Sequence, residues 1–289
     1  MKQITACIDA SPGAMAVVDA ASWVSQRLQQ PLTLLHTLEK VDKNAADLSG
    51  SIGFGSREHL LEQLTELDAQ RAKLAIESSR IMLESAEKRA KEHGAQDCSV
   101  QQRHGRLSEE VLSLADDTRV LVMGRQGEDH PDPTVATLGS QLETVLRSVA
   151  CPVLITTGVS FRTPTRFMVA YDGSEAVERA LDAYADSPLL KEAECHLVMV
   201  NHTDAEHVAK FTTAHERLEK AGFKVVTRQC EGDVLSILND YQFRHQIDLI
   251  VMGAYGHSRI RQFFVGSHTR NMVSHSKVPL LLFDKAAVT

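Results

Sequence analysis

A chain of 289 residues, 43% hydrophobic and 24% charged, has the composition of an ordinary globular protein and room for one large or two small folding units. Its net charge of −7 opposes non-specific nucleic-acid binding, which clustered Lys and Arg drive, and no apolar run reaches the ~18 residues of a membrane span. The opening "MKQITACIDASPG" lacks the apolar stretch and cleavage site of an export signal, and the five cysteines are scattered without a CxxC pair. They read as small buried hydrophobes in a reducing compartment, so a cytoplasmic protein without a zinc site is expected.

The first predicted strand and helix lie in "ITACIDASPGAMAVVDAASWV". The strand ends at Asp9, Ser11 follows as a helix-start residue, and Pro12 suits the first helical position. "LTLLHTLEK" (32–40) is the second strand. A glycine-rich stretch and a long predicted helix from Glu58 to about Lys91 come next, with Gly94 as a stop. The stripe of Leu60, Leu64, Leu67, Leu74, Ile81 and Met82 along that helix is expected to pack in the core or between the halves. "RVLVMGRQG" is a buried strand ending near Gly124, and Gly139–Ser140 opens a further helix. "CPVLIT" is the last strand of this half, and the turn-rich "TTGVSFRTPTR" (156–166) is a seam.

Beyond the seam the pattern repeats. "FMVAYDGSEAVERALDAYA" again ends a strand at an aspartate, Asp172, with Ser174 two residues on. "CHLVMVNHT" matches the second strand, "DLIVMGAYG" matches "RVLVMGRQG", and "GSHTRNMVSHSKVPLLLF" matches "GSQLETVLRSVACPVLI". The spacing from Gly139 to Pro152 equals that from Gly266 to Pro279. A shared register across most of both halves points to duplication, with units at 1–157 and 164–289. Strands alternating with amphipathic helices predict a parallel sheet covered on both faces, with right-handed crossovers. The two last strands would leave bare edges, so they are expected to pair and make the chain an intramolecular pseudo-dimer.

In such sheets ligands lie beyond the carboxyl ends of the strands, where strand order reverses. If the fourth strand neighbours the first, Asp172 and Gly253 flank one crevice. Gly253, Gly256 and Gly266 let backbone N–H groups approach an anion, and Ser267 opens a helix whose free N–H groups attract phosphate. His257, Arg259 and Arg261 lie between them. The plainer alternative is a loop of solvated charges; a third glycine with a helix-start serine favours phosphate.

Gly253-x2-Gly256-x9-Gly266-Ser267, with Asp172 closing the first strand of its half, resembles the ATP-binding motif of the universal stress protein family. The resemblance spans nearly the whole chain, and the tandem layout with a long helix in the first half is similar to the two-domain, E-type members. It implies two flavodoxin-like (adenine nucleotide alpha hydrolase-like) α/β units, each a five-stranded parallel sheet of order 3-2-1-4-5. It implies ATP or a related adenine nucleotide, with Mg2+ carried by the phosphates, and a regulatory role in stress. Carried over, Asp172 meets the adenosine end and the backbone near Asn201 the adenine. Gly253, Gly256, Gly266 and Ser267 hold ribose and phosphates, flanked by His257, Arg259 and His268. Dimerisation through the fifth strand is also implied, and a further homodimer is left open.

The first half departs from this motif. Eleven residues, 128–138, separate Gly127 from Gly139, and Pro131 and Pro133 stiffen the stretch. Arg125 against Glu128, Asp129 and Asp132 gives residues 125–138 a formal −2, whereas Arg259 and Arg261 give 254–265 a +2. One nucleotide per chain, in the second half, is therefore expected.

No Gly-x-Ser-x-Gly elbow, P-loop or paired carboxylates for two metals are present. His36, His196 and His202 read as packing and edge residues. A binding protein is favoured, with at most weak ATP hydrolysis. A slow ATPase or nucleotidyl transferase is one alternative, and a nucleotide-free scaffold for a protein or apolar ligand is the other.

Overall fold

The computed structural model describes residues 2–38, 54–127, 139–253 and 267–283, with backbone alone at 54–61, 140, 184, 267 and 268. The first half runs β1 (Gln3–Cys7), α1 (Ala14–Leu28), β2 (Leu32–Leu38), α2 (Phe54–Glu92), β3 (Cys98–His104), α3 (Leu107–Ser113), β4 (Thr118–Gly124), α4 (Ser140–Ser148) and β5 (Val153–Thr156). The second runs β6 (Arg166–Tyr171), α5 (Glu175–Ala185), β7 (Glu194–Val200), α6 (Ala205–Lys220), β8 (Val225–Cys230), α7 (Val234–Arg244), β9 (Leu249–Gly253), α8 (Ser267–His275) and β10 (Leu280–Phe283).

These strands form one sheet of order β3-β2-β1-β4-β5-β10-β9-β6-β7-β8. Each half has the order 3-2-1-4-5 that the resemblance implied. Every pairing is parallel except the central one, where β10 runs antiparallel to β5 with Leu281 opposite Leu154. The two short apolar strands thus cover each other's edges, as the edge argument required.

A sheet buried on both faces needs near-continuous apolar strands, and alternate residues of each strand feed opposite layers. Ile4, Ala6, Val120 and Val122 join Phe167, Val169 and Tyr171 under α1, α2, α5 and α6. Leu121, Met123, Ile155, Met168 and Ile250 lie in the other layer, with α3, α4, α7 and α8. Each layer is continuous across both halves. Trp23 of α1 also packs on Phe161 of the connecting segment, and Arg27 forms an ion pair with Glu192 at 2.5 Å.

Three local expectations need correction. First, α1 starts at Ala14 with Gly13 as its cap residue; Ser11 and Pro12 belong to the preceding turn. Asp9 takes the Ser11 N–H at 3.1 Å, so the turn closes before the helix begins. Second, most of the α2 stripe lies outside the core: Leu64, Leu67, Leu74 and Ile81 are exposed, Leu74 by 70%. A 39-residue helix is about 58 Å long, against about 23 Å for a seven-residue strand. Only its last turns, with Met82, Leu83, Ala86 and Ala90, reach the core. Third, only Cys7 and Cys195 are fully buried, although all five thiols are free. Among the described residues no helix is long and apolar enough to cross a membrane.

Candidate functional site

Strand order reverses between β6 and β9. β6 lies between β7 and β9, with Ala170 opposite both Val198 and Met252. Asp172 and Gly253 therefore leave the sheet side by side at its carboxyl edge.

Asp172 Oδ1 accepts the Ser174 N–H at 2.9 Å, closing a turn through Gly173, which has φ +66°. Ser174 Oγ then accepts the Val177 N–H at 3.4 Å and caps α5, as its place in the sequence suggested. Among the described residues nothing bonds to the other oxygen of Asp172, which remains an acceptor at the crevice. Below this turn the Tyr171 hydroxyl bonds Glu178, and burial, with that carboxylate, pushes the phenol pKa up.

Gly253 has a packing reason to be glycine. A Cβ there would lie 2.9 Å from Ala176 Cβ, 3.3 Å from Val177 N and 3.4 Å from Ser174 Oγ. The first turn of α5 thus rests on the end of β9 and fixes the crevice floor.

Asn201 follows β7 in the left-handed region, φ +66°. Its side chain donates to Gly232 O at 2.7 Å and accepts from Gly232 N at 2.8 Å. Those bonds, with the Asn201 N–H donating to Cys230 O at 2.9 Å, lock the ends of β7 and β8 together and leave its backbone carbonyl for a ligand. Ser267 is the first residue of α8, and His268 follows it. Gly256, His257, Arg259 and Gly266 lie outside the described residues. The structure therefore brings Asp172, Asn201, Gly253 and the start of α8 to one edge.

The corresponding edge of the first half is built differently. Asp9 bonds Ser11 N in the same manner, but a Cβ on Gly127 would lie 2.9 Å from Asp9 Oδ2. The carboxylate thus rests against the loop that follows β4. Gly139 N donates to Arg125 O at 3.1 Å, which draws the start of α4 onto the same loop. The Arg125 side chain reaches the seam between the halves. It is 8% exposed and reaches across the central strands to donate to Ser276 O at 2.8 Å and Ser274 O at 3.3 Å, at the carboxyl end of α8. Burial lowers its pKa.

Sequence reasoning also passed over a group beside Gly173. His202, Asp204 and His207 each present a ligand atom, all within 4.8 Å of one another. Asp204 caps α6 by accepting the His207 N–H at 3.1 Å, and its second oxygen lies 2.6 Å from His207 Nδ1. The backbone bond, above all, holds the Asp204 carboxyl below its usual range. His202, expected only to solvate an edge, stacks on His207 with ring centroids 4.4 Å apart. The spacing His-x-Asp-x-x-His at a helix start was the available signal.

Comparison with known proteins agrees with the fold. The model of the universal stress protein family matches residues 1–157 and 201–284. A universal stress protein of Synechocystis sp. is 34% identical over 288 residues, covering 98% of this chain and 100% of that protein. The crystal structure of a universal stress protein from Archaeoglobus fulgidus has a TM-score of 0.73 at 18% identity, with 98% of each chain covered. A putative universal stress protein from Pseudomonas aeruginosa has a TM-score of 0.62 at 15% identity, over 98% of this chain and 93% of that one. The architecture of these solved structures is shared across nearly the whole length, the Synechocystis relative is similar in sequence from end to end, and the chain belongs to the universal stress protein family.

Proposed function

We propose that this protein binds ATP, or a related adenine nucleotide, in the crevice of its second half and acts as a stress-response regulator rather than a metabolic enzyme. The observation that carries the reading is the meeting of Asp172 and Gly253 at the strand-order reversal, with α8 opening at Ser267 after Gly256 and Gly266. The described residues fit such a ligand. Asp172 retains an acceptor oxygen for a hydroxyl, the Asn201 side chain and N–H are occupied so that its carbonyl serves, and a helix start supplies N–H groups for an anion. Arg259 and Arg261 add positive charge between the glycines. Mg2+ would arrive with the phosphates and needs no protein cage. In the first half an acidic loop opposes a triphosphate by roughly 1 kcal/mol per close charge pair even in a water-like dielectric. The repeated units, residues 1–157 and 164–289, would then have diverged, one keeping the ligand and the other becoming support.

Calorimetric titration with ATP tests the reading. Binding should be present in the intact chain, weakened by Asp172→Ala and absent in Gly256→Val. Phosphate release should not exceed that of Gly256→Val, and release well above it would favour an ATPase.

A further inference from the structure

The loop between β7 and α6 carries a group of side chains that the nucleotide reading does not use. We propose that His202, Asp204 and His207 form a binding site for a divalent cation of the zinc class on the rim of the second-half crevice. Three features support it. The ligand atoms are already gathered: one from each residue, all within 4.8 Å. Two ligands of a tetrahedral ion held at ~2.1 Å are about 3.4 Å apart, so closure needs movements of roughly 1 Å by partly exposed side chains. The loop is also fixed, because Asp204 caps α6 through the His207 N–H and the two imidazoles stack at 4.4 Å with their planes 23° apart. Finally, the donor set has a preference. Two imidazoles and one carboxylate suit Zn2+, Co2+ or Ni2+ and not Mg2+ or Ca2+, which take oxygen ligands. The cysteine spacing that argued against a zinc site in the sequence has no bearing on this histidine and carboxylate set.

Three protein ligands leave a fourth position open, as in zinc sites that accept a water or a substrate atom. The neighbourhood gives that position a use. A Cβ on Gly173 would lie 3.2 Å from His207 Cδ2, so the cation would sit next to the Asp172–Gly173 turn. There it could couple metal occupancy to whatever Asp172 holds. The first half has no counterpart: Glu39, Val41 and Asn44 stand at the aligned positions. The site therefore adds to the asymmetry between the halves, and it rests on side chains alone, independent of the nucleotide reading.

The test uses the full chain, stripped of metal and free of nucleotide, titrated with ZnCl2 by calorimetry. One site per chain is expected that His202→Ala and His207→Ala each weaken at least tenfold. Glu206→Gln, an exposed carboxylate in the same turn of α6, should leave it unchanged. Co2+ should give a visible ligand-field band that both histidine variants lose, and circular dichroism should show all variants folded. Absence of zinc binding by the wild-type chain, or equal zinc affinity in wild type and both histidine variants, overturns the proposal. Because no nucleotide is present, either result leaves the ATP reading standing.

Discussion

The carboxyl edges of the two halves share a frame and differ in how it is packed. Both first strands are followed by an aspartate that accepts the N–H two residues on, Asp9 from Ser11 and Asp172 from Ser174. Both fourth strands end in glycine. In the first half Asp9 rests against Gly127, and the arginine after Gly124 has left to cap a helix of the other half. In the second half α5 starts directly after the aspartate, the turn passes through Gly173 in the left-handed region, and His207 lies alongside. The shared frame serves the sheet in both halves. Arg125 holds the end of α8, Ala254 stands at the aligned position, and residues 128–138 carry Glu128, Asp129 and Asp132.

The largest contrast should come from paired glycine variants. Gly266→Val should reduce ATP affinity more than 100-fold, because a β-branched side chain blocks both the backbone conformation and the approach of phosphate. Gly139→Val should leave it unchanged; equal losses in both would erase the distinction between halves.

Next in size is Arg125→Met. Losing a buried guanidinium that donates to two carbonyls at the end of α8 should destabilise the chain by about 2–3 kcal/mol in urea unfolding. Unchanged stability would return Arg125 to the loop and to the charge count of the first crevice.

Gly253→Ala should cost about 1–3 kcal/mol, since the added methyl meets the backbone-anchored first turn of α5 at 2.9 Å. Gly124→Ala should cost less, its tightest contact being Gln126 O at 3.1 Å. The reverse order, again from urea unfolding, would mean that the strand ends are not packed as described.

The smallest effect is a pH dependence centred on β7 of the second half. His196 of β7 is buried against Tyr241, its Nδ1 2.8 Å from the hydroxyl, and burial holds its pKa below the ordinary value. The unfolded chain therefore takes up the proton first. The contribution of neutral His196 is complete above about pH 6.5 and is lost as pH falls toward the lower folded-state pKa, with a slope of at most about 1.4 kcal/mol per pH unit. Thr33 stands at the aligned position of β2. His196→Thr should flatten the acid side of the stability profile, and an unaltered profile would exclude His196 as its source.

Much of the frame could be read from the residues. The repeated Asp, Gly and Gly–Ser signals fixed the register of the halves. The parallel pattern limited the connections, and the bare edges of "CPVLIT" and "VPLLLF" foretold the central pair. The unread parts depend on distance in space. Arg125 acts on backbone carbonyls some 150 residues away, which leave no side-chain signature. Pro12 marks a turn as readily as a first helical residue. The stripe on α2 has helical periodicity, but periodicity does not tell whether anything covers the face. His202, Asp204 and His207 straddle a turn and a helix start, so no single period displays them. At the site itself, Asp172, Asn201 and Gly253 leave their strands at one edge of the sheet. The residues on which most of the phosphate reading depends lie between Gly253 and Ser267, outside the described residues.

The central claim is that the second crevice alone holds the nucleotide. Titration of the intact chain with ATP in saturating Mg2+ measures this directly. The account predicts a stoichiometry near one, abolished by Gly266→Val and untouched by Gly139→Val. A stoichiometry near two, or binding that survives Gly266→Val and disappears with Gly139→Val, would contradict it.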